Sequence, residues 1–283
     1  ETITLMVHWG SSDQLSALQR FAEEYSQAHP GIEIDIISTA STTSAMWERY
    51  LVMAAAGTPP DAVHFTADAV KEQEYMFHRF PSDLAAEVRE KYLPGALSLA
   101  EYHGEILGYP TEFMSPAVVY NQDVFERSGL GSAPTPASWD EFFGLAQRLT
   151  RIAADGTVEQ YGLTIDGGWR EMYDIRSYLN ADGYEVISGD GVPLLNSPQM
   201  IDAVSRWKEY IDSGVITRAG ANPLINDQAA MTIWEPWLRG TLVNARPEMY
   251  HAGRFGVSPV PYGSLGRPHV RTYGYLWAVP RTT

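Results

Sequence analysis

Three carboxylates in this chain stand beside aromatic rings where a strand-like run gives way to a turn or a crossing. Glu235 lies in the run Trp234-Glu235-Pro236-Trp237, Asp68 follows Phe65-Thr66-Ala67, and Glu112 precedes Phe113. Further rings fall at comparable places: Trp9 at the end of ITLMVHW, and Trp169 after Asp166-Gly167-Gly168, with Tyr173 four residues on. A flat ring offers a stacking face, and Trp and Tyr add a polar edge. Carboxylate and hydroxyl oxygens accept hydrogen bonds. Repeated from junction to junction, this pairing suits a ligand with apolar C–H faces and a belt of hydroxyls, namely a sugar. Ser41, in the Ser/Thr-rich turn at 38–44, and Tyr273, in the last extended segment, complete the candidate binding set.

Each of these residues also has a plainer reading. A Trp at a strand end serves a core as readily as a ligand. Trp47, Trp139 and Trp207 fall within or at the head of helical patterns and Trp277 within the last strand, so these four read as core. Most of the 35 Asp and Glu residues read as solvated surface. Glu235 fits equally as an N-terminal helix residue favoured by the dipole. Signals for catalysis are weak. The seven His are scattered, with no H-E-x-x-H, no G-x-S-x-G and no phosphate-cradling Gly-rich loop. No catalytic residue, metal or cofactor is therefore expected. Two carboxylates across a sugar site could still act as a glycosidase pair.

Rings and carboxylates at strand ends need a scaffold that brings those ends to one edge. The chain alternates as such a scaffold does. Strand-like runs at 3–9, 32–37 and 61–65 are separated by helical patterns at 15–31, closed by Pro30-Gly31, and 46–57, giving β-α-β-α-β and a mostly parallel sheet. A second series follows a crossing near 108–112: PAVVYN, the helix SWDEFFGLAQRLT with its capping box, the strand YGLTI, a helix opened by Asn196-Ser197-Pro198, and the strand AAMTIW. In open sheets of this kind, ligands bind beyond the carboxyl ends of the strands.

Composition narrows the field. The 283 residues suit one large domain or two medium ones. Lys and Arg number 20 against 35 Asp and Glu, a net charge of −15 that gives no basic face for nucleic acid. There is no Cys, which excludes disulfides and thiolate chemistry. No run approaches the ~18 apolar residues of a membrane span. The chain opens at Glu1 directly before a strand, as a processed mature protein or a trimmed one would.

The order of these segments resembles the bacterial extracellular solute-binding proteins of ABC importers, in the large family that includes the maltose-binding protein. The stretches that carry the likeness are AAAGTPPDAVHF, GYPTEFMSPAVVYNQDVFERSGL (with Gln122 where Lys is usual), APTPASWDEFFGLAQRLT, LNSPQMIDAVSRWKEYIDSGVI and AAMTIWEPW. The resemblance implies an α/β type II binding-protein fold with two lobes, at 1–109 plus 264–283 and at 110–263, hinged about a cleft. It implies a monomer, periplasmic or extracellular, free or lipid-anchored, that delivers a small-molecule solute to a membrane permease. It places Phe65 on a stacking aromatic, Asp68 on a hydroxyl-binding Asp and Trp237 on a sugar-stacking Trp. Trp234 and Glu235 replace smaller residues, which implies a shorter pocket. Relatives usually continue past the last strand with helices that pack back on the lobes, whereas this sequence stops at Thr283. A binder of a polyamine, an amino acid or a glycerol-phosphate-type solute is the alternative. Cation–π contacts suit the first, and Arg170 or Arg239 would serve the last.

Overall fold

A computed structural model of the chain describes residues 1–9, 12–39, 43–133, 135–188, 192–267, 270 and 272–281, with side chains left aside at Ser12, Thr43 and Trp169. Ser41 lies outside the described residues. The chain divides into two compact units, Glu1–Met114 with Tyr273–Thr283, and Ser115–Thr272.

In the first unit, β1 (Thr2–Val7), α1 (Ser12–Ala28), β2 (Glu33–Ser38), α2 (Thr43–Ala55), β3 (Ala62–Thr66) and α3 (Ala67–Glu72) alternate as the hydrophobic pattern predicts. Helices α4 (Ser82–Lys91) and α5 (Pro94–Ala100) follow, then the hairpin of β4 (Glu101–Tyr102) and β5 (Glu105–Ile106), then β6 (Tyr109–Met114). The last strand of the chain, β13 (Tyr273–Ala278), returns to this unit and gives the sheet order β2-β1-β3-β13-β6. The sheet is mixed. β1 runs parallel to β2 and β3, and β13 runs antiparallel to β3 and β6. Beneath it, Met6, Met46, Tyr50, Val63, Phe65, Phe77 and Leu276 form the core.

The second unit is built from β7 (Ala117–Asn121), α6 (Gln122–Arg127), α7 (Trp139–Leu149), β8 (Arg151–Ile152), β9 (Val158–Thr164), α8 (Trp169–Ala181), α9 (Pro198–Asp212), β10 (Ile216–Thr217), α10 (Asn222–Ile225), β11 (Ala229–Trp234), α11 (Leu238–Ala245), α12 (Pro247–His251) and β12 (Phe255–Ser258). Its sheet order is β10-β9-β11-β7-β12. This sheet too is parallel through β10-β9-β11 and antiparallel where β7 meets β11 and β12. Ser138 caps α7 as expected, its Oγ accepting from Glu141 N at 3.2 Å, while the Glu141 carboxylate reaches back one residue beyond the cap and accepts from Ala137 N at 2.8 Å. Trp139, Phe142, Phe143 and Trp207 fill the core.

Each sheet pairs in parallel through its αβ series, as expected, and is mixed because one strand runs against the others: β13, between β3 and β6, in the first unit and β7, between β11 and β12, in the second. The compact units divide at 114/115 and 272/273. β6 pairs along its length with β13, which holds 109–114 in the first unit. Ser264 N donates to Asp182 Oδ1 at 2.7 Å and Leu265 N to Ala181 O at 3.2 Å, which holds that stretch in the second.

Candidate ligand-binding site

In the first unit, the carboxyl end of β1 delivers His8 and Trp9. Ser38 Oγ at the end of β2 donates to the Trp9 carbonyl at 2.8 Å and fixes the turn. Trp9 Nε1 donates to Glu112 Oε1 at 2.7 Å, so a ring and a carboxylate expected on separate grounds form one group. Burial pushes the Glu112 carboxyl above its ordinary range, with the indole hydrogen bond opposing. The His8 ring stacks on Tyr275 at 4.1 Å between centroids, 6° from parallel. Gly274 allows the close approach of β13 to β6: a Cβ there would stand 1.9 Å from the Glu112 carbonyl oxygen, which no side chain tolerates.

The second unit builds its counterpart where β9 and β11 end. After β9, Gly168 adopts φ 80°, a conformation that favours glycine, and opens α8. In the first turn of that helix, Arg170 is 7 % exposed. Its guanidinium pairs with Glu235, which is 6 % exposed, and lies 3.6 Å from Asp166 Oδ2. It also sits over the Trp234 ring at 4.3 Å and the Trp237 ring at 5.5 Å. The two indoles meet edge to face at 5.3 Å and 71°. Trp234 is 5 % exposed and Trp237 46 %, so one ring supports and the other presents a face. Glu171 holds Arg218 through two contacts of 2.9 and 2.7 Å.

The remaining sequence candidates are distributed as follows. Phe65 is fully enclosed, edge-on to Trp47 at 5.0 Å and Tyr50 at 5.4 Å, so its ring offers no face to solvent. The packing of β3 against α2 explains this: the residue expected to stack on a ligand alternates onto the core side of the sheet. Asp68 is exposed in the first turn of α3. Tyr273 is half-buried at the head of β13, and Tyr173 half-buried on α8. Trp169 begins α8. Helix α11 starts at Leu238, with Trp237 as its N-cap. Sequence reading missed His8 and the burial of Arg170. The signal for Arg170 was present in its spacing from Asp166 and Asp174, four residues to either side.

Asp174, 8 % exposed, lies one turn beyond Arg170 on α8. Burial raises its carboxyl well above the ordinary range; Arg170 opposes this, and Glu235, Glu171 and Asp166 add to it. An acid that holds its proton more tightly when folded loses stability for the protein as pH rises above its unfolded pKa, about 4. Asp174→Asn is therefore expected to raise the melting temperature at pH 7 and to flatten the decline in stability above pH ~4. Melting curves from pH 4 to 8 check this; parallel pH profiles for variant and wild type would refute it.

Behind the Trp pair, a recess of about 280 Å³ opens between β7, β12 and α11, lined chiefly by Ala117, Val119, Leu238, Leu242, Phe255 and Val257. That wall has few polar atoms to meet a hydroxylated ligand. Among the described residues, no group of three or more His, Asp or Glu is placed to hold a metal ion.

The chain matches the profile of the bacterial extracellular solute-binding proteins over residues 9–283. A Brucella abortus (strain 2308) protein described as a binding protein is 26% identical over 191 residues, 64% of this chain and 44% of that protein. The sn-glycerol-3-phosphate-binding periplasmic protein UgpB of Agrobacterium fabrum is 31% identical over 105 residues, 37% of this chain and 21% of that protein. The chain thus spans less than half the length of these curated relatives. Maltose-bound MalE3 of T. maritima superposes with a TM-score of 0.78 at 23% identity, covering 100% of this chain and 73% of that one. The likeness extends through both α/β units, and with a profile match over nearly its whole length, the chain belongs to the bacterial extracellular solute-binding protein family.

Proposed function

We propose that this chain is the solute-binding component of an ABC importer and that its solute is a mono- or short oligosaccharide. The observation that carries the reading is Trp237, a half-exposed ring held by Trp234 and Arg170 at a strand end. A fixed, exposed indole is a stacking platform that a sugar face can use without ordering a mobile side chain. Trp9 and Glu112 supply a ring and hydroxyl acceptors on the first unit. In this reading the partners are the solute and a membrane permease, the location is periplasmic or extracellular, and the protein binds without catalysis.

Arg170 weighs against the nearest alternatives. A polyamine would seek the carboxylate beside the Trp faces, and Glu235 is already paired with Arg170. A phosphate ester would seek a guanidinium; that of Arg170 is engaged by Glu235, and Arg239 Nε donates to the Tyr250 hydroxyl at 2.9 Å. Glu235, so engaged, is also ill placed to act as one of a glycosidase pair.

The test is a thermal-shift panel of glucose, maltose, mannobiose, putrescine and sn-glycerol 3-phosphate. A saccharide at a hundredfold excess over its dissociation constant should stabilise the protein by about 2.7 kcal/mol. Stabilisation by putrescine or glycerol phosphate alone would overturn the reading, as would release of shortened products from an oligosaccharide.

A further inference from the structure

Beside the Trp9–Glu112 pair lies a chain of hydrogen bonds that the sugar reading does not use. Thr111 Oγ1 donates to the Tyr275 carbonyl at 3.1 Å. Its position follows from an irregularity in the pairing of β6 with β13: Glu112 pairs with Tyr275 and Pro110 with Leu276, leaving Thr111 between them. The hydroxyl has one proton, and a carbonyl can only accept it. The same oxygen stands 2.6 Å from His64 Nε2 and must there accept, so His64 carries its proton on Nε2. His64 Nδ1 is then a bare lone pair. It lies 3.3 Å from His8 Nδ1, which must supply the proton between them. His8 is therefore protonated on Nδ1, and its Nε2 is a bare acceptor.

His64 is fully buried, whereas His8 is half-buried just beyond β1. Among the described residues His8 Nε2 has no hydrogen-bond partner, and its ring is half-buried rather than enclosed. Stacking on Tyr275 holds the ring that carries it. Burial lowers the pKa of His8 to about 4 and of His64 to about 3, so both rings are neutral at pH 7 and each has one definite tautomer to hold.

We propose that His8 Nε2 is a ligand-binding acceptor, locked in that state by Thr111 acting through His64, and that the ligand group it meets is a hydrogen-bond donor such as a sugar hydroxyl. An imidazole free in water exchanges between its tautomers and can turn a donor toward an oxyanion. This one cannot, so a phosphate or carboxylate oxygen is turned away at this position. His8 would touch the ligand; His64 and Thr111 are positioning residues. The identity of the donor as a hydroxyl rests on the saccharide reading, whereas the tautomer does not.

The two parts are tested separately. Long-range proton–nitrogen NMR spectra of the imidazoles at pH 7, without ligand, should show His8 protonated on Nδ1 and His64 on Nε2. The reverse assignment would overturn the proposal. Thr111→Val removes the hydroxyl at nearly constant shape and should mix the tautomers of both rings; a variant whose His8 tautomer stays fixed would sink the relay. His8→Phe keeps the ring and removes the acceptor, and should weaken maltose binding about threefold to tenfold, the worth of one neutral hydrogen bond. Unchanged maltose affinity would remove His8 from the site. A wild-type protein that binds no saccharide would defeat the saccharide reading while the spectra still decide the tautomer.

Discussion

Glu235→Ala is expected to cost the second unit about 3–5 kcal/mol of stability, measured by urea unfolding, because it leaves the Arg170 guanidinium buried without its closest counter-charge. The nearby carboxyls set where in that range the result falls. Asp174 holds its proton partly because Glu235 is charged. Removing Glu235 lets Asp174 ionise more readily beside Arg170, which offsets some of the loss and places the expectation nearer 3 than 5. Glu235→Ala combined with Asp174→Asn should then be more destabilising than the two single effects added. Replacing the pair itself, by Arg170→Met with Glu235→Leu, should recover much of the loss, since exchanging a buried ion pair for apolar groups of similar volume is often near neutral. A Glu235→Ala protein within 1 kcal/mol of wild type would show that water reaches Arg170 and that the pair does not anchor the indoles.

The alternation of strands and helices was legible because the hydrophobic period carries it. The runs at 3–9, 32–37 and 61–65 became β1, β2 and β3 nearly residue for residue. Strand direction was not, because a run such as PAVVYN or TYGYLWAVP holds the same pattern whichever way it runs. The antiparallel placing of β7 and β13 is set by the long-range pairings Ile233–Val118 and Leu276–Phe65.

At the site, the clustering of rings and carboxylates was legible and their roles were not. Period-2 alternation sends Phe65 inward and Trp234 ends a strand buried on both faces, yet a strand end next to a polar turn reads in sequence as an outward position. Which atom holds a proton is still further from the sequence. The state of His8 depends on Thr111, 103 positions away, and on an irregularity in strand pairing that no local pattern announces. Arg170 shows the same limit in its charge. A Trp-Arg pair at a helix start suggested an anion ligand, and only the fold brings Glu235 against it.

Trp237→Ala is expected to weaken saccharide binding roughly thirtyfold, about 2 kcal/mol, the usual loss when a well-supported aromatic contact is removed. The effect on folding should be smaller, about 1 kcal/mol or less, because 46 % of the residue already faces solvent. This separation of affinity from stability distinguishes a ligand platform from a core residue. Trp237→Phe keeps a flat face over Arg170 and should retain most of the affinity, whereas Trp237→Leu keeps apolar area without the ring and should not. Isothermal titration with maltose, beside urea unfolding of the same proteins, makes the comparison. If alanine and wild type bind equally, the stacking face lies elsewhere. If Trp237→Ala instead loses the 3–5 kcal/mol typical of a buried aromatic, the ring belongs to the core despite its exposure.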